Sequence, residues 1–81
     1  MYFIFENPRR VSMWMKDTYI PLDMVFVDEQ GYVVQIKENA RPLDETLIPS
    51  LVPVAGVIEL PAGTVEKYEI KLSDQFSQKT E

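Results

Sequence analysis

Apolar residues along this chain fall mostly at every second position, the spacing of a β-strand. Residues 2 to 5, Tyr-Phe-Ile-Phe, favour a strand, and Asn7-Pro8-Arg9-Arg10 reads as a turn. From 11 to 16, Val11, Met13 and Met15 fall on one face, and Ser12, Trp14 and Lys16 on the other. Pro21 lacks a ladder donor and extends Ile20, so 18 to 21 is a connection. In 22 to 28, Leu22, Met24 and Phe26 alternate with Asp23, Val25 and Val27. Apolar residues on both sides predict a strand covered on both faces. Asp28 to Gly31 is a tight turn, and 32 to 38 returns as the hairpin partner.

Residues 39 to 53 hold three prolines and read as a long loop, a type often functional in compact domains. A strand follows at 54 to 60 between Pro53 and Pro61, then a short helix near 62 to 68 and a last strand at 70 to 72. These elements predict an all-β fold: a small sandwich-like or barrel-like domain with one short helix. A small α+β domain is the alternative. Residues 1–74 form a single domain in this reading, and 75–81 a polar tail.

The chain has 81 residues, enough for one small domain. It has no cysteine and no histidine, which removes disulfides, thiolate and imidazole metal sites and every Ser-His or Cys-His pair. Ser50 therefore lacks the usual base. No metal site and no cofactor is called. A net charge of −5 and the lack of a basic stripe argue against nucleic acid. No apolar run approaches a membrane span, and no signal peptide is visible, so a soluble protein is expected with its compartment unassigned.

The blocks Trp14 to Val34, Glu38 to Pro42, Ile48 to Ser50 and Ile58 to Asp74 resemble the domain of unknown function 192 family. The most specific block runs from Trp14 through Lys16, Thr18 and Ile20-Pro21-Leu22 to Asp23. The resemblance implies a compact, mainly β domain of prokaryotes and no established activity. Three departures stand out. The family usually carries a segment before the one matching Met1 to Phe5; Asp17 stands where it usually has asparagine; and Ser73 stands where a glycine commonly precedes the aspartate matching Asp74.

Trp14, Lys16, Thr18, Asp23, Arg41 and Glu59 are the candidate ligand-binding residues; no catalytic residue is assigned. Asp23 and Glu59 each end an apolar strand face, with Lys16 or Arg41 as a partner. The arrangement fits a structural ion pair or a polar cluster that orients a small ligand. Trp14 with Tyr19 and Tyr32 is a candidate carbohydrate surface. The favoured function is a non-catalytic ligand-binding or interaction module, its partner a small polar or carbohydrate ligand. The alternative is a small hydrolase-like enzyme using the carboxylate pair. The apolar strand at Met1 to Phe5 also predicts self-association as a homodimer through residues 1 to 15.

Overall fold

The computed structural model describes residues 1–76. The alternation seen in the sequence becomes β1 (Tyr2–Arg9), β2 (Ser12–Met13), β3 (Leu22–Val27), β4 (Val33–Ala40), β5 (Ile48–Pro49) and β6 (Val54–Pro61), followed by α1 (Thr64–Lys67). The fold is all-β with little helix, as its period-two pattern predicts. Four strands make an antiparallel sheet in the order β1-β6-β3-β4, and β2 and β5 form a two-stranded ribbon.

All six residues of β3 are buried. One face of the sheet packs Leu22, Met24, Phe26 and Val57 against Met15, with Met13 and Ile48 of the ribbon beside them. On the other face Val25, Val27 and Val33 pack against Val65 of α1, and Ile70 and Phe76 complete the cover. β3 therefore has a layer on each side, which is why its apolar residues do not alternate with polar ones.

Several boundaries differ from the sequence reading. Residues 7 to 9, expected as a turn, continue β1, and Arg9 pairs with Val54 after a register shift. β1 is an outer strand, where Pro8 costs no interior ladder bond, and Arg9 stacks over the Phe5 ring at 4.9 Å. The strand expected over 11 to 16 is only Ser12–Met13. Beyond it the Met15 amide donates to the Asp44 carbonyl and Asp17 takes a φ of 62°, so the chain turns away. The loop over 39 to 53 contains β5, and the helix is confined to Thr64–Lys67.

The strand expected at 70 to 72 does not form. Glu69 and Ser73 have φ of 53° and 74°, which breaks an extended path, and the Ile70 amide donates back to Val65. Strand-like pairing occurs later, between Tyr32 and Gln75, and the Phe76 amide donates to the Gly31 carbonyl. Gly31 has a φ of 84° and packs directly on the Phe76 backbone, so a side chain there meets both strain and a clash. Of the tail expected from 75, residues 77–81 lie outside the described residues.

Asp17 and Ser73 both sit in the left-handed region. Serine at such a φ carries a steric cost that glycine lacks. Ser73→Gly is expected to stabilise the fold by about 0.5–1 kcal/mol, and Asp17→Asn by less. Urea midpoints check this: an upward shift for Ser73→Gly is expected, and an unchanged or lower one contradicts the assignment of strain.

Candidate functional site

The Trp14 to Asp23 block ends in the most buried charged residue of the described chain. Asp23 lies in the middle of the sheet with no exposed surface. Its Oδ1 accepts from the Asn39 amide at 2.8 Å, and its Oδ2 accepts from the Gly63 and Val65 amides at 3.1 and 2.9 Å. All three donors are backbone groups. A carboxylate accepting several backbone N–H groups satisfies itself without a cation.

The donors explain why an anion sits here. Leu22 faces Ala40 and Met24 faces Lys37, so β4 takes three steps where β3 takes two. The extra residue is a bulge, its backbone freed from the ladder, and Asn39 at φ 55° turns its amide to Asp23. Gly63 precedes α1 with a φ of 95° and brings no capping side chain. Asp23 supplies the cap from β3, accepting the amide of the N-cap residue Gly63 and that of Val65 in the first turn of α1. Pro21 assists, its carbonyl accepting the Ala62 amide at 3.1 Å.

The other candidate residues are dispersed. Lys16 is exposed and stacks over Trp14, its Nζ 5.3 Å from the ring centroid. Trp14 itself is 45% exposed. Thr18 acts through its main chain: its amide donates to the Met15 carbonyl and its carbonyl accepts from Leu43. Arg41 is exposed, and its carbonyl accepts the Asp44 amide at 3.3 Å.

Glu59 is half-buried and faces Met24, whereas Asp23 faces Leu60. Adjacent positions on a strand point to opposite faces, so the sheet separates the two carboxylates. Among the described residues no three acidic side chains converge where a metal could sit. Ser50 is buried, with its Oγ accepting the Val11 amide at 2.9 Å, a tie between the ribbon and the long loop.

Among the described residues two concave features lie elsewhere, one of them a depression of about 450 Å³ between β1 and the Asp28 to Gly31 turn. A cleft of about 340 Å³ opens between β4 and the loop carrying β5, lined by Lys37, Asp44, Leu47, Ile48 and Leu51 with Met15 at its base. None of the six candidate residues lines it. The only sequence signal for it was the length of the 39 to 53 loop. That loop is pinned at the Gln35 side chain, which donates to the Pro49 carbonyl and accepts from the Leu51 amide. Asp44 accepts the Thr46 amide at 2.8 Å; hydrogen bonding to Thr46 holds its carboxyl below the ordinary value, with Arg41 and Lys37 adding to the effect.

Two outcomes follow from this geometry. Asp23→Ala leaves the buried Val65 amide and the part-buried Asn39 and Gly63 amides unpaired and is expected to cost about 3 kcal/mol, whereas Lys16→Ala is expected to cost under about 0.5 kcal/mol. Comparable losses for the two, measured by urea unfolding, would mean that Lys16 supports Asp23 after all. Burial raises the Glu59 carboxyl above its ordinary value, with the Met1 ammonium pulling the other way. The folded state then binds that proton more tightly than the unfolded chain. Its contribution is present at low pH and is lost as pH rises from 4.5 through the raised value. Glu59→Gln should flatten stability against pH in that window; an unchanged slope contradicts it.

Comparison with known proteins agrees with this architecture. The chain is similar to a protein of Sinorhizobium meliloti 1021 named "putative transcription regulator", with 48% identity and a TM-score of 0.91 over 93% of this chain and 58% of that one. It is also similar to a protein of unknown function from Novosphingobium aromaticivorans, with 37% identity and a TM-score of 0.88 over 93% of this chain and 54% of that one. The chain thus spans little more than half the length of these solved relatives. No curated protein matches it. The family model described as DUF192, Uncharacterized ACR, matches residues 1–78, and the chain belongs to that family.

Proposed function

We propose that this chain is a non-catalytic binding module whose contact surface is the cleft between β4 and the 44 to 51 loop. One observation carries the reading: the buried carboxylate that looked most like a site is taken up by backbone donors, while the open concavity combines an apolar wall with Lys37 and Asp44 at its edge. A carboxylate-pair hydrolase needs two acids flanking one bond, and the sheet lies between Asp23 and Glu59. The homodimer expected through residues 1 to 15 would have to use the outer edge of β1. The cleft carries the proposal instead, because Phe3 and Phe5 pack against the core. The regulator name of the S. meliloti relative fits a module that works through contact with another molecule.

The test is a ¹⁵N-HSQC titration of the chain with neutral monosaccharides and blocked dipeptides, repeated on Leu47→Asp. Shifts at Lys37, Asp44, Leu47 and Leu51 that shrink in the folded variant support the module. Absence of shifts at these amides for every probe overturns it. So does turnover of p-nitrophenyl glycosides or esters that falls with Glu59→Gln.

A further inference from the structure

Lys37 stands beside the residue that pins the long loop. Gln35 faces Phe26 and Lys37 faces Met24, so both side chains leave β4 on the face that Met15 covers. Gln35 holds the loop at Pro49 and Leu51. Lys37, two residues along, lines the cleft where the loop carries Asp44, Leu47 and Ile48. Asp44 is fixed from its own side, its carboxylate accepting the Thr46 amide. Hydrogen bonds from Thr46 do most to hold its carboxyl below the ordinary value, and of the groups that do so Lys37 acts least. An ammonium in contact with the carboxylate would dominate instead, so the two charges stand apart across the cleft. Around them Lys16 and Arg41 offset Glu38 and Glu45, and the surroundings add no net charge.

Resting on the binding-module reading, we propose that the cleft takes a free α-amino acid with an aliphatic side chain, its carboxylate toward Lys37, its ammonium toward Asp44 and its side chain against Leu47 and Ile48. Desolvation selects this class. An occupant draws water from both charged groups as it enters, and a charge that loses water without gaining a partner is costly. An uncharged ligand leaves both groups unpaired, and a singly charged one leaves one of them. A zwitterion pairs both and brings no net charge, which suits surroundings in which the two signs balance. Size agrees: the cleft's volume of about 340 Å³ lies at the small end of ligand pockets, which run from about 300 to 1,000 Å³. Leu47, Ile48 and Leu51, with Met15 beneath them, give the side chain an apolar seat.

The probe is L-leucine, titrated into the ¹⁵N-labelled chain. The controls are leucinamide, which lacks the carboxylate, N-acetyl-leucine, which lacks the ammonium, and glycine, which lacks the side chain. Leucine is expected to shift the amides of Lys37, Asp44, Leu47 and Leu51, and each control to bind about tenfold more weakly. Matched variants assign the two charges. With Lys37→Met, leucine and leucinamide should bind equally. With Asp44→Asn, which keeps an oxygen for the Thr46 amide, leucine and N-acetyl-leucine should bind equally. Equal binding of leucine and any one control by the unaltered chain overturns the proposal, as does a preference for leucine that survives both variants. If blocked dipeptides shift Leu47 and Leu51 while leucine binds no more tightly than N-acetyl-leucinamide, the zwitterion fails and the binding module stands. If no probe shifts these amides, both fail.

Discussion

A single buried carboxylate joins two parts of this fold that ladder hydrogen bonds leave open. Asp23 sits on the central strand, and its oxygens accept from the bulge of β4 at Asn39 and from the start of α1 at Gly63 and Val65. These donors lie 16, 40 and 42 residues away in sequence. Each belongs to a place where regular structure stops satisfying its own backbone. A neutral acceptor of the same size offers one strong acceptor oxygen where the carboxylate offers two. The position of α1 follows, and with it the seat of Val65 over Val25 and Val27. The second core cluster is therefore held in place through a polar contact at its edge.

The same block of sequence fixes the opposite side of the molecule through its main chain. Met15 donates to the Asp44 carbonyl, and Thr18 accepts from Leu43. Ser50 exchanges hydrogen bonds with Val11, and Gln35 holds Pro49 and Leu51. The long loop is thus pinned at several points, to the 11 to 18 segment and to Gln35 of β4, with the cleft between it and β4. A concavity held open this way needs little reordering when something enters it, which is the advantage of a preorganised site.

What the sequence revealed, and what it hid, follows from the range of the forces involved. β3, the hairpin into β4 and β6 were legible because their signals are local: alternation, a Gly31 turn and bracketing prolines. The short helix was legible from Pro61 and the residues after it. β1 was read too short because Pro8 suggests a turn unless the strand is known to be an outer one. The strand at 70 to 72 was misread because left-handed residues at Glu69 and Ser73 leave no mark in hydropathy. Asp23 stood out in the sequence, but its partners did not. Backbone amides have no side-chain identity, so Lys16 and Arg41 drew notice as partners in their place. The cleft was hidden for a related reason: it forms where β4 meets a loop distant in sequence, and its wall comes from residues that read singly as loop.

Native-state hydrogen exchange tests the central claim most directly. Asn39 and Gly63 are exposed residues, and their amides would exchange like those of any surface loop without a protected acceptor. If the Asp23 carboxylate anchors both the bulge and the helix start, the amides of Asn39, Gly63 and Val65 should exchange only in openings as rare as those that expose β3. Fast exchange at all three, with β3 still protected, would contradict the account.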